Sequence, residues 1–395
     1  MNNITNLFHE SVIETSIGVR GTDGNVPLVD DNMDETTPWF SNRMMNVYEA
    51  TIRGLIVNRE EGAAPHFFTQ VSEFELWLGE VEKTIGITLG RKLAHSAAES
   101  EEYRLLGNMR NMPNPLFKKL KKRIEWVNQS WELRGLGQLE MMKKEEDSTK
   151  LIVHNRAHSA FAAGMASATY EILTDARFRF HWTDDGNSES LITLERDMRP
   201  IPPAENVELT WSDAGGENNV REEGMHPLAR AYHESSGTWS IDSVRMMAIR
   251  QDHLLRLEES IMPQLFENEI SDSGRFIWEG ISDLERKKTW TGFAEASRSR
   301  FIVGEEMVLV AEVEHWVNVG RRFLSRFGLG GVDSAVVIDE QGGVELHLSS
   351  LFHPAIAAGI LTASWERAEA RQAKCEWSCS KNGHIIKITS LHELA

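Results

Sequence analysis

The chain repeats itself. The segment HSAFAAGMASATYEILTDARFRFHW, beginning at His158, recurs without a gap as HPAIAAGILTASWERAEARQAKCEW, beginning at His353. Self-similarity on this scale fixes architecture before any other property is read, since two copies of one sequence pattern must find two copies of one packing solution. Flanking landmarks keep their order while their offset drifts, as loop insertions and deletions would cause. Trp39 with Arg43-Met44-Met45 pairs with Trp239 and Arg245-Met246-Met247. Leu76-Trp77-Leu78-Gly79 pairs with Ile277-Trp278-Glu279-Gly280, and Gly90 and Ala94 pair with Gly292 and Ala296. Trp126-Val127-Asn128 and Gly135-Leu136-Gly137 pair with Trp316-Val317-Asn318 and Gly328-Leu329-Gly330. The expectation is a tandem duplication: a flexible acidic arm at residues 1–35, a first repeat domain at 36–196, a Pro- and Gly-rich linker at 197–235 and a second repeat domain at 236–395.

Composition narrows the partners. With 42 basic against 60 acidic residues the net charge is -18, so the field of the chain repels nucleic acid and anionic lipid heads. The run Lys118-Lys119-Leu120-Lys121-Lys122-Arg123 reads as a solvated helix face. No apolar stretch is long enough to span a bilayer, and the N-terminal residues lack the basic start and apolar run of a signal peptide. Two cysteines in 395 residues suit a reducing compartment. These features predict a cytoplasmic protein without membrane insertion, and they leave its oligomeric state open.

Periodicity gives the elements of each copy. An opening amphipathic helix is expected from Met44, Val47, Tyr48, Thr51, Ile52 and Leu55, and in the second copy from Met247, Ile249, Leu254, Leu257 and Ile261. Further helices are expected around the Trp-x-Gly landmarks through Gly90 or Gly292, and leading into Trp126 or Trp316. Then come a hairpin, the repeated helix, and a second hairpin. Alternating runs on either side of Glu145-Glu146-Asp147, Gln341-Gly342-Gly343, Asp184-Asp185-Gly186 and Lys381-Asn382-Gly383 carry the hairpin signal. Each domain therefore reads as α+β, with a roughly four-stranded antiparallel sheet covered by helices.

In the repeated helix, Asn155 and Ser350 are the expected N-caps. Small residues including Ala160, Gly164 and Ala168, and their counterparts Ala355, Gly359 and Ala363, fall on one face. Such a face admits close packing or a ligand, and Gly inside a helix costs about 1 kcal/mol that something must offset. His158 and His353 stand in the first turn, where the helix dipole favours a neutral ring. Glu171 and Glu366 lie about 20 Å further along the same helix by its rise per residue. They read as partners for nearby cations.

Cys375, Cys379 and His384 do not read as a metal site. Two cysteines four apart on a strand are separated by about 13 Å, too far for one tetrahedral ion. No phosphate loop, nucleophile elbow, zincin motif or dinucleotide fingerprint occurs, and no cofactor is indicated. The order of elements, with Ala162-Ala163-Gly164 and Ala357-Ala358-Gly359 in the repeated helix and the strand pair carrying Cys375, resembles the vinyl-reductase-like domain family. Phe180 stands where the second copy has Cys375, so the cysteine features associated with the family are missing from the first copy. The resemblance implies a module that binds a hydrophobic ligand or a partner; it transfers no catalytic residue.

The sequence thus predicts a noncatalytic protein whose two domains pack about a pseudo-twofold axis and bind a small hydrophobic molecule or a protein, with His158, Gly164, His353 and Gly359 as the candidate ligand-binding residues. Two alternatives stand beside it. One is an enzyme with a single diverged site between the domains, drawing on the two histidines with Glu171 or Glu366. The other is a scaffold subunit of a complex.

Overall fold

The computed structural model describes residues 37–144, 148–184, 186, 188–199, 201–214, 226–265, 274–304 and 306–392. The expected acidic arm and the turn at 145–147 lie outside them. In chain order the first half contains α1 (Thr37–Val47), β1 (Tyr48–Ala50), β2 (Ile56–Asn58), β3 (Ala64–Gln70), α2 (Val71–Ile85), α3 (Gly90–Gly107), α4 (Lys119–Arg134), β4 (Gln138–Lys144), β5 (Ser148–His154), α5 (Ser159–Thr174), β6 (Arg177–Asp184) and β7 (Ser190–Asp197). The second contains β8 (Ala231–Ser235), β9 (Thr238–Ile241), β10 (Val244–Arg250), α6 (Gln251–Ile261), β11 (Phe276–Trp278), α7 (Leu284–Val303), α8 (His315–Phe323), β12 (Ser334–Val337), β13 (Val344–Leu348), α9 (Pro354–Glu369), β14 (Ala373–Ser380) and β15 (Gly383–Ser390).

The architecture is α+β, with mainly antiparallel sheets. One sheet has the order β4-β5-β7-β6 and the four strands expected. Its counterpart, β11-β14-β15-β13-β12, has five, because β11 adds in parallel to β14. Alternation sets which residues these strands bury: Leu151 and Val153 on β5, Ile192 and Leu194 on β7, and Ile386 and Ile388 on β15 all point inward.

Above each sheet lies the repeated helix, and above that a long helix: α5 between its sheet and α3, α9 between its sheet and α7. A helix covered on two sides must be apolar nearly all round, which explains the Ala-rich sequence. A methyl group at Gly164 would overlap the Ala94 carbonyl oxygen of α3, and one at Gly359 the Ala294 carbonyl of α7. The partner of Gly359 is therefore Ala294, not the Ala296 that the sequence pairing suggested. The caps are also different. His158 Nδ1 accepts from the Ala160 amide and His353 Nδ1 from the Ala355 amide, each at 3.2 Å. Asn155 instead sits in a left-handed turn (φ 51°).

A third sheet, which the sequence did not announce, joins the halves. Its order is β1-β2-β3-β10-β9-β8, a palindrome of two three-stranded units. The central strands are antiparallel, with Phe68 opposite Ala248, His66 opposite Arg250 and Gln70 opposite Met246. Each central strand runs straight into a helix: β3 into α2 and β10 into α6. The two helices then cross to the other half. Trp77 Nε1 of α2 donates to Ser297 Oγ of α7 (2.9 Å), and Ser100 Oγ of α3 donates to Asp252 Oδ1 of α6 (2.9 Å). The edge hairpins exchange as well. Gly137 N donates to Gly237 O (3.0 Å) and Gly330 N to Gly54 O (3.1 Å). At both junctions the glycines are left-handed, and a methyl at Gly135 or Gly328 would strike the Met246 or His66 carbonyl respectively.

This sheet corrects the expected opening helices. In the first half the helix stops at Val47 and Tyr48–Ala50 and Ile56–Asn58 are strands; in the second, Met247 and Ile249 belong to β10 and the helix starts only at Gln251. Two landmark pairs consequently join unlike elements: Trp39 is in α1 and Trp239 in β9, Trp77 in α2 and Trp278 in β11. Within the stretch expected as a linker, residues 201–214 carry no regular structure but are pinned to both halves: Arg177 donates to the Ile201 carbonyl (3.3 Å) and Tyr103 to Asn206 Oδ1 (3.2 Å). Trp211 is buried against Trp290 and His353, and Asp213 meets His384 Nε2 at 2.9 Å. The end of that stretch is β8, which pairs with β9. No helix among the described residues is long and apolar enough to cross a membrane.

Candidate functional site

Where α2 of the first half meets α7 of the second, an apolar cavity of about 260 Å³ opens. Its walls come from five separate stretches of chain. Phe67 on β3 and Phe74 and Trp77 on α2 form one side; Phe301 on α7, Phe323 and Phe327 after it, and Ile356 and Ile360 on α9 form the other. Few polar groups reach it. Ser297 is occupied, receiving from Trp77 and donating to the Phe293 carbonyl at 2.8 Å. Arg300 grips Glu73 with distances of 3.1–3.2 Å, and the 41% exposure of the Glu73 side chain marks the open side. An apolar cavity of about 150 Å³ holds benzene, so this one has room for a ligand of roughly ten to fourteen non-hydrogen atoms.

The corresponding place in the first half can be located from the Gly164/Ala94 and Gly359/Ala294 contacts, the Gly135/Gly328 junctions and the β3/β10 register. Glu101 stands for Phe301, Arg134 for Phe327, Arg250 for Gln70, His253 for Glu73, and Met165 for Ile360. Instead of a cavity there is a buried ion network, with about 10 Å³ left over. The Glu101 carboxylate receives four hydrogen bonds: from Arg104 Nε (2.9 Å) and Nη2 (2.6 Å), Trp131 Nε1 (2.9 Å) and Arg134 Nη2 (2.9 Å). Burial alone would raise its pKa, but Arg104 and Arg134 overcome this and hold it well below the usual carboxylate range. Arg104 is raised in turn, its own burial outweighed by Glu101. Burial pushes the His253 ring down to about 3, so it packs as a neutral ring edge-on to Phe161, with centroids 4.3 Å apart.

The four residues expected to bind ligand occupy other surroundings. Gly164 and Gly359 face helix backbone, and His158 and His353 cap their helices. Burial, first among the causes, lowers the His158 pKa and keeps it a hydrogen-bond acceptor. His353 is 1% exposed, ringed by Trp211, Trp290 and Phe293, with Nε2 3.3 Å from Glu258 Oε2. Glu171 binds Arg177 (2.9 Å) and the Phe178 amide (2.7 Å). Glu366 binds Arg275 and Arg298 (both 2.8 Å) and the Ala373 amide (3.0 Å). The histidines and glutamates thus engage separate partners, and each glutamate ties its helix to the next strand. β14 runs unbroken through Cys375 and Cys379; the Cys375 thiol is pushed up to about 12 by burial, which makes it inert as a nucleophile.

Sequence reading missed the cavity because its phenylalanines carry no motif. Trp77, Leu254 and Leu329 stand in the landmark and helix patterns, and Ile360 adjoins Gly359, but no spacing in the sequence joins them into one wall. Comparison with protein-family models, with curated proteins and with solved structures returns no match.

Proposed function

We propose that the chain is a tandem duplication folded as an intramolecular pseudo-dimer, and that it binds a small apolar ligand in the cavity between α2, α7 and α9. The observation that carries the ligand reading is the 260 Å³ apolar cavity itself, walled by aromatic and branched side chains from both halves. Apolar walls with a few polar groups at the open end are the usual make-up of small-molecule sites. The palindromic sheet and the paired glycine contacts support the duplication. The resemblance to vinyl-reductase-like domains belongs to the same proposal, since it implies the same class of ligand.

Calorimetric titration of the full chain with n-alkanols and n-carboxylic acids of increasing length tests the reading. Affinity is expected to rise with each methylene, by about 0.8 kcal/mol buried, and to stop rising near ten to twelve carbons, where the cavity of about 260 Å³ is full. Ile360→Trp should abolish binding while the protein stays folded. Absence of saturable binding across the whole series would refute the proposal.

A further inference from the structure

A second cavity, of about 420 Å³, lies in the first half between α1, the loop after β2, α3 and α4. Its lining is unlike that of the apolar site. Arg43 and Arg104 oppose Glu60 and Glu61, so the walls carry two cations, two anions and no net charge. Asn58, Asn108, Asn111, Gln129 and Ser130 supply amide and hydroxyl groups, and half-buried Trp126 adds an aromatic wall.

At the inner end, buried polar atoms lack a full hydrogen bond to the described residues. Tyr48 is fully buried, and its hydroxyl lies against Asn58 and Glu61 without the geometry of a full hydrogen bond to any described residue. The Glu61 side chain is 5% exposed, and Oε2 likewise completes none. Two loose ion pairs surround the carboxylate, Arg104 Nη1 at 3.6 Å from Oε1 and Arg250 Nε at 3.4 Å from Oε2, and the neutral His66 ring lies beyond, with Nε2 at 3.8 Å from Oε2. The contrast with Glu101, one helical turn from the same Arg104 and satisfied four times over, is sharp. Burial would raise the Glu61 pKa, but Arg104 and then Arg250 hold it below the ordinary value, so the acceptor is ionised. Burial, then Glu61, pushes the Tyr48 hydroxyl up, so it remains a donor. Buried groups of this kind are costly unless something bonds them.

We propose that this cavity is a second binding site, for a small uncharged polyhydroxy compound of monosaccharide size. Balanced wall charge disfavours a net anion or cation. Planar carboxylate, amide and guanidinium groups can each engage two adjacent hydroxyls. An aromatic wall packs the C–H face of a sugar ring. Glu61 receives hydroxyl protons, Tyr48 donates, and Trp126 and Gln129 close the outer side.

The test is ligand-detected NMR and calorimetry on the full chain with D-glucose, D-galactose and myo-inositol, each at about 10 mM, where a Kd of 1 mM gives near saturation. At least one probe is expected to bind, with affinity falling at least about tenfold in Glu61→Gln and Tyr48→Phe, as loss of a charge-assisted or buried hydrogen bond requires. Trp126→Ala, at the outer wall, should weaken binding similarly and serves if the inner variants do not fold. Binding should be unaffected by Ile360→Trp, which blocks only the apolar cavity. No binding by any of the three probes, or binding unchanged by Trp126→Ala and the inner variants, overturns the proposal.

Discussion

The same position in the two halves is built in opposite ways. In the first, the hydrogen-bonded Glu101–Arg134 pair, the Arg250 guanidinium and the neutral His253 ring fill the space beneath the repeated helix; in the second, Phe301, Phe327, Gln70 and Glu73 leave an apolar cavity. The backbone contacts around both places, helix glycine on helix carbonyl and left-handed glycine on strand carbonyl, correspond. The lesson is that the scaffold depends on backbone approach at a few glycines, so the side chains inside it can change class without loss of the fold. The closed half is filled by polar side chains around the fully bonded Glu101 carboxylate. An open half with apolar walls contributes room.

The largest expected effect comes from breaking the closed half. Glu101→Gln leaves Arg104 and Arg134 buried without their carboxylate and should cost about 3–5 kcal/mol in urea unfolding. The change Phe301→Leu in the open half, a swap between apolar residues, should cost under about 1.5 kcal/mol. Equal losses would break the comparison.

Acid should act on the closed half first. Burial lowers His66 to about 4 and His253 to about 3, against an ordinary value of 6.5. Both are neutral when folded, so the unfolded chain binds more protons below pH 6.5. The stability they contribute is complete above that value and is lost as pH falls toward their folded values. Each should remove up to about 1.4 kcal/mol per pH unit across that window. Glu101 and Glu61, held low, add a further loss below about pH 4, where unfolded carboxylates protonate first. Unfolding free energy measured from pH 7 down to about pH 2 should follow this two-stage decline, and His253→Phe should flatten its first stage.

Smaller effects come from added volume. Met165→Phe, in the packed half, should destabilise by about 1–3 kcal/mol through overpacking. Its counterpart Ile360→Phe grows into the cavity and should be neutral or stabilising by up to about 1 kcal/mol. Thermal midpoints of the two variants, moving in opposite directions, would sharpen the contrast between the halves.

Much of this fold can be read from residues, for identifiable reasons. The strands flanking α5 and α9 alternate cleanly because one face is covered and the other is not, and the small-residue helix is conspicuous because it is covered on both sides. The six-stranded sheet is hidden for the converse reason. Met246–Arg250 is a central strand buried on both faces, so it shows no alternation and passes for part of a helix. Tyr48 and Leu55 fall at helical spacing, yet they belong to a strand and to the turn before the next, because pairing with distant strands overrides local periodicity. The histidine caps are hard to read from sequence because histidine is an unusual cap, although His158 and His353 stand at the same place in the two matching segments. Neither cavity has a local signature: the apolar one draws on segments brought together by the exchange of elements between the halves, and the polar one on α1, the loop after β2, α3 and α4, which are separated in the sequence.

The most direct test is a crystal structure determined under xenon pressure, since xenon enters dry apolar cavities and avoids polar ones. The contrast between the halves predicts xenon among Phe74, Phe301 and Ile360, and none at Glu101, Arg134 and His253. Xenon in both positions, or in neither, would contradict it.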